Sequence, residues 1–156
     1  ISGPEDVIMY LRYNMRSQTF AKSLPMPIVI GAMKRLEMMR TMPELKEKLW
    51  TITRALQSGL KADGLDIGKT NSCVTPVYMK GNIPEATNVV LDLREHHGIF
   101  CSIVVYPVIP KGEILLRLIP TATHSLEDVK RTIASFKEVK KKLEAGQYKA
   151  ETIANV

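Results

Sequence analysis

Residues 98–119 read GIFCSIVVYPVIPKGEILLRLI, and this stretch decides the fold. Two runs rich in β-branched and aliphatic residues, 99–106 and 114–119, flank a segment carrying Pro107, Pro110 and Gly112. Runs of this composition bounded by proline and glycine read as strands. A third such run lies upstream at 74–79. Between it and the first pair, residues 84–97 carry a helical stripe of Ala86, Val89, Val90, Leu93 and His97, with Gly98 placed just past the helix end. Downstream, Ser125 and Asp128 form a capping box ahead of Leu126, Val129, Ile133, Phe136, Val139 and Leu143, spaced by threes and fours.

Working outward to the start of the chain, the pattern is helical on both sides of a non-periodic stretch. Pro4 suits a first helical position and Glu5 and Asp6 suit the positive end of a helix dipole, so the spacing of Val7, Ile8, Leu11 and Met15 predicts a helix over 4–16. Pro25 and Pro27 break the non-periodic stretch 17–27. A second helix, 27–40, opens on Ile28, Val29, Ile30, Gly31, Ala32 and Met33, apolar all round, which marks a helix buried against its own domain or a partner chain. After Pro43, Leu45, Leu49, Ile52, Leu56 and Leu60 give a third, amphipathic helix ending near Gly64. The order is ααα-βαββα. This pattern belongs to the α+β class, with a small, largely antiparallel sheet covered by helices on one face. The expected division is a helical segment over 1–65, an α+β domain over 66–146 and a frayed tail over 147–156.

The 156 residues make one domain's worth of chain. With 45% hydrophobic and 24% charged residues, disordered, collagen-like and transmembrane classes are excluded, and no membrane span is expected. A net charge of +6 admits an anionic partner, a peripheral membrane contact included, without naming one. Cys73 and Cys101 form neither a CxxC pair nor a disulfide framework, and read as buried thiols of a reducing, cytoplasmic compartment. Seven of the eight methionines fall within the first 42 residues, as core filler or as an adaptable interface. The start, ISGPED, has no initiator Met and no signal-peptide pattern, and reads as a cut inside a longer protein.

Arg117 is the most informative single residue. Strand alternation puts Leu115, Arg117 and Ile119 on one face and Ile114, Leu116 and Leu118 on the other. An arginine flanked by aliphatics either clamps a carboxylate or phosphate with its planar fork, pairs with an internal glutamate, or snorkels to solvent. Lys22 and Ser23, in a hydroxyl-rich stretch ahead of a helix, read either as a phosphate site or as a plain linker. His96, His97 and His124 lack metal-ligand spacing, so no metal is expected, and the first two suit the dipole at a helix end. No GxSxG, Gly-rich phosphate fingerprint or HExxH occurs. The final helix is basic, but its lysines alternate with Glu127, Asp128, Glu138 and Glu144 without an aromatic platform. It reads as a solvated face, not a nucleic-acid surface.

Four ordered motifs, SGPEDVIMYLR (2–12), TFAKSLP (19–25), YPVIPKG (106–112) and LLRLIPTATH (115–124), together resemble the C-terminal part of the α-oxoamine synthases. These are pyridoxal-phosphate enzymes of the fold-type I aminotransferase superfamily, which condense an amino acid with an acyl-CoA. The first of the inner motifs, extended to Pro27, is similar to bacterial serine palmitoyltransferase. The 106–112 motif suits glycine C-acetyltransferase (2-amino-3-ketobutyrate CoA ligase) equally well. The resemblance implies that the chain is the small C-terminal domain of a homodimeric enzyme using serine or glycine and an acyl-CoA, with 1–65 packing on a larger cofactor-binding domain. It implies that Arg117 grips the substrate carboxylate, that Lys22 and Ser23 reach the partner's cofactor phosphate, and that Tyr106, Pro107, Pro110, Lys111 and Gly112 border the acyl-CoA channel. Ala21 and Lys22 stand where the family often has Ser or Thr, and Leu115 stands where many members have a further arginine. The Schiff-base lysine of the family lies upstream of the stretch matching Ile1, and Lys22 does not replace it. The resemblance therefore implies no catalytic residue here and an isolated chain that neither retains pyridoxal 5'-phosphate nor turns over. The competing reading from another class is a non-catalytic anion-binding or interaction module.

Overall fold

A computed structural model describes residues 2–149, which fall into two compact units divided between Met42 and Pro43. The first unit holds α1 (Glu5–Asn14), α2 (Arg16–Thr19) and α3 (Met26–Thr41). The helix expected over 4–16 stops early because Met15 takes extended backbone angles, φ −78° and ψ 111°, and one further turn restarts at Arg16. Pro25 precedes α3 and Pro27 lies in its first turn, where no intrahelical amide is needed. None of the three helices has a buried residue, and Met39 is 72% exposed. The apolar helix expected to be buried is thus open within its own unit.

The second unit holds α4 (Pro43–Ala62), β1 (Thr75–Lys80), α5 (Ile83–Glu95), β2 (Ser102–Val104), β3 (Glu113–Leu118) and α6 (Leu126–Glu144). Both strand pairs are antiparallel and the order is β1-β3-β2, so the last strand is the central one. Val77, Met79, Ile114, Leu116 and Leu118 turn inward to a core shared with Val89 and Leu93 of α5 and Phe136 and Val139 of α6. The alternation assigned to the third strand holds. The helices cover the inward face, and Arg117 and Ile119 lie on the exposed one.

The expected division falls at 65/66, whereas the compact units of the structure divide at 42/43. Ile52, Leu56 and Leu60 of α4 are buried in the same core as the sheet and α6, because an amphipathic stripe is stable only when its apolar side is covered. The stripe is covered only from its middle on, and Leu45 is 40% exposed. Gly59 lets α4 approach α6, since a Cβ there would clash with Ile133 Cδ1. Gly59→Val is therefore expected to destabilise by about 1–3 kcal/mol through overpacking. A melting temperature equal to that of the parent would contradict so close a contact.

Strand β2 is shorter than the expected 99–106. At Gly98 the backbone takes φ 65°, and the Ile99 amide then bonds the Leu93 carbonyl at 2.8 Å, so these residues close the end of α5 before the ladder begins. The capping box at Ser125 and Asp128 is present. A second one, Asn82 with Glu85, opens α5; its spacing is visible in the sequence, but the apolar stripe alone does not reveal it.

The tail expected to fray from residue 147 is held through Lys149. Gly146 turns the chain at φ 72° and Gln147 N–H bonds the Lys142 carbonyl at 3.0 Å. Tyr148 is buried, its hydroxyl donates to Asp92, and its carbonyl accepts from Asn88 at 3.1 Å. Residues 150–156 of that expectation lie outside the described residues. Cys101 is buried, as expected, and burial pushes its thiol up to about 11. Cys73 is half-buried, and both cysteines are free.

Candidate functional site

Arg117 owes its position to the central strand. Its neighbours across the sheet are Pro76 on β1 and Ser102 on β2. Its Nε–H donates to Ser102 Oγ at 3.2 Å. Among the described residues, the arginines that hold ion pairs are Arg94 with Glu95 and Arg131 with Asp128. The pairing of Arg117 with an internal glutamate is therefore absent there, and the guanidinium stands exposed on the outer face of the sheet. A planar cation fixed on a central strand and free of a carboxylate can receive one from outside in two parallel N–H···O bonds.

The 106–112 segment leads directly into that strand. Its first half is exposed, with Tyr106 at 56% and Val108 at 78%. Its second half is tied down: Glu113 N–H bonds the Pro110 carbonyl at 3.3 Å, and Gly81 N–H bonds the Gly112 carbonyl at 3.1 Å. Gly112 sits at φ 90°, where a side chain is strained. Pro107, Pro110 and Lys111 are exposed along the same loop. Lys22 and Ser23 belong to the first unit, exposed between α2 and α3. Arg117 and Ser102 are the pair that the structure brings together. Sequence reading passes over Ser102, because only the strand register puts a hydroxyl opposite Arg117.

His96 and His97 meet at one carboxylate, and His124 holds a different partner. His96 Nδ1 lies 2.9 Å from Asp92 Oδ1 and His97 Nε2 3.9 Å from it, so both histidines face a carboxylate as well as the helix dipole. His124 Nδ1 accepts the Thr121 amide at 2.9 Å, which leaves Nε2 to carry the proton. Among the described residues no group of His, Cys, Asp and Glu could hold a metal ion.

The basic helix is more than a solvated face. Lys137 pairs with Asp63 at 2.9 Å, Lys140 donates to the Gly64 carbonyl at 2.8 Å, and Lys142 reaches Asp92 at 3.0 Å. Three cations that could have met nucleic acid thus tie α6 to the rest of its own unit. A cavity of about 250 Å³ lies between α4 and α6, lined by Ile52, Leu118, His124 and Arg131, and Arg117 does not line it. Among the described residues no helix is long and apolar enough to cross a membrane.

Comparison with known proteins adds the following. The family described as aminotransferase class I and II matches residues 1–136. A cysteate-C-fatty acyltransferase of Capnocytophaga ochracea is 63% identical over 96% of this chain and 36% of its own length. A serine palmitoyltransferase of Sphingobacterium spiritivorum is 33% identical over 92% of the chain and 36% of its own length. A solved serine palmitoyltransferase from S. paucimobilis, carrying PLP and myriocin, superposes with a TM-score of 0.77 at 26% identity, over 93% of this chain and 36% of that one. The chain therefore spans about a third of the length of the relatives it matches.

Proposed function

We propose, from the premise that this chain belongs to the aminotransferase class I and II family, that it is the C-terminal part of an acyltransferase joining an amino acid to a fatty acyl-CoA. The observation that carries the reading is Arg117, an exposed guanidinium with no carboxylate partner among the described residues, anchored on the central strand. The amino acid we favour is cysteate, after the relative that is 63% identical. Serine is the second reading, after the relative that is 33% identical; glycine, which the sequence resemblance also implied, is the third, after a 2-amino-3-ketobutyrate coenzyme A ligase that is 30% identical.

The cofactor of the whole enzyme in this reading is pyridoxal 5'-phosphate, which a solved relative carries. The donor chemistry of the first unit fits its phosphate, because Lys22 offers an ammonium and Ser23 a hydroxyl on an exposed segment ahead of α3. When bound, the cofactor supplies the electron sink that lets the amino acid's α-carbon attack the thioester carbonyl.

The chain's own part is positioning. Arg117 takes the α-carboxylate in a two-point grip and so fixes which bond at the α-carbon faces the cofactor plane. Lys22 and Ser23 hold the phosphate of the partner's cofactor in a homodimer. Tyr106, Pro107, Pro110, Lys111 and Gly112 border the acyl-CoA entry. The open apolar side chains of the first unit, Ile28, Ile30 and Met33 among them, are surface for the larger domain and the dimer partner. A cytoplasmic location accords with the free cysteines. The anion-binding module loses its support, since Lys137, Lys140 and Lys142 are engaged internally.

The test is an assay of the full-length protein with cysteate, serine or glycine against palmitoyl-CoA and acetyl-CoA. Condensation is expected to be fastest with cysteate and palmitoyl-CoA. The 156-residue chain purified alone is expected to show neither turnover nor the absorbance of a lysine-bound cofactor. Failure of every substrate pair with a cofactor-loaded full-length protein would overturn the reading, and turnover by the isolated chain would overturn the placing of the chemistry outside it.

A further inference from the structure

Ser102 is placed to do one thing for Arg117. It lies directly opposite on the neighbouring antiparallel strand, where facing side chains stand roughly 5 Å apart at Cβ. A serine there is too short to cross the strand, but it meets the arginine part-way, and its Oγ accepts the Nε–H at 3.2 Å. On the other side of Arg117 the facing residue is Pro76, whose ring offers no acceptor. A guanidinium has five N–H donors in one plane. With Nε–H taken by a hydroxyl on the neighbouring strand, one orientation of the guanidinium plane is favoured over the others. The four N–H groups on the two Nη atoms remain for a carboxylate.

We propose that Ser102 is the positioning residue that sets the plane of the Arg117 guanidinium for two-point capture of the amino acid's carboxylate. The inference rests on the assignment of Arg117 as the carboxylate grip. Its partner matters because an arginine left to rotate spends its donors on water in many orientations, and each must be given up before the substrate is held. A hydroxyl suits the task better than a carboxylate would. It orients the cation without neutralising it, so the charge remains for the substrate.

The readout that separates positioning from general support is the effect on one substrate alone. In the full-length enzyme Ser102→Ala is expected to raise the KM of the amino acid about three- to tenfold, the range of one ordinary hydrogen bond. The KM of the acyl-CoA and the binding of the cofactor are expected to be unchanged. Ser102→Thr, which keeps the hydroxyl, should restore the parent KM. Ser102→Val, which keeps the shape of threonine without it, should not. In an Arg117→Lys background, Ser102→Ala should add no further loss, because the planar fork that it orients is gone.

The two ideas fail separately. If Arg117→Ala leaves the amino-acid KM unchanged, the carboxylate grip is wrong and the role of Ser102 falls with it. If Arg117→Ala raises that KM and Ser102→Ala does not, the grip stands and the positioning role is overturned. Equal losses for both substrates in Ser102→Ala and Ser102→Val, unrelieved by Ser102→Thr, would also overturn it, by showing that the residue supports the sheet and not the fork.

Discussion

Arg117→Ala in the full-length enzyme is expected to raise the KM of the amino acid about tenfold or more, with the KM of the acyl-CoA unchanged. Tenfold corresponds to about 1.4 kcal/mol, close to the lower end of the 1.5–3 kcal/mol typical of a hydrogen bond to a charged group. The loss falls on one substrate because Arg117 stands on the outer face of the central strand and holds no carboxylate of its own chain among the described residues. The inward neighbours Ile114, Leu116 and Leu118 carry the packing of that strand, so truncation on the outer face leaves the core intact. Arg117→Lys keeps the charge but loses the fork, and is expected to recover only part of the loss. Steady-state kinetics with the amino acid varied at saturating acyl-CoA measures it. An unchanged KM at normal cofactor loading would remove Arg117 from the site.

The second large effect is expected at Asp92, which joins three parts of the second unit. Its carboxylate accepts from the Tyr148 hydroxyl and from Lys142 Nζ at 3.0 Å, with His96 Nδ1 2.9 Å away, and Lys142 in turn holds Glu138 at 2.8 Å. His97 Nε2 faces the same carboxylate. Burial alone would push the carboxyl up, but the bonds from Tyr148 and Lys142 and the charges of Lys142 and His97 outweigh it and hold Asp92 below the usual carboxylate range. A carboxyl lowered by folding stabilises the protein above its unfolded value, about 3.9, and that contribution is lost as the pH falls through the folded value. Asp92→Ala is expected to cost about 2–3 kcal/mol at neutral pH, since it leaves the buried tyrosine hydroxyl without its acceptor and Lys142 with one partner fewer. It should also flatten the loss of stability below about pH 4. Urea unfolding at a series of pH values checks both, and an acid limb as steep in Asp92→Ala as in the parent would contradict the assignment. Tyr148→Phe, which removes only the hydroxyl, should cost about 1 kcal/mol.

Much of what marks the candidate site is legible in the sequence. Arg117 stood out because a charged residue interrupted an aliphatic strand, and the alternation that assigned it to a face depends only on the two-residue repeat of a strand. The 106–112 loop announced itself through two prolines and a glycine. Ser102 had no such mark, since a serine in a short strand is ordinary until the register is known. Asp92 and Tyr148 were hidden in the same way, on a helix face and in a tail that looked free.

The sequence by itself determined whatever is settled by neighbours three or four residues away: the order of the main helices and strands, the capping box at Ser125 and Asp128, and which side of β3 is apolar. The tertiary structure alone decided that β3 lies between β1 and β2, that α4 belongs with the sheet, and that Tyr148 closes on Asp92 across 56 residues of chain. It also set Ser102 against Arg117 from 15 residues away. The physical reason is one of range. Caps and alternation follow from backbone geometry within a turn or a strand, whereas register and ion pairs between distant elements are chosen by the packing of the shared core, which no local stretch specifies.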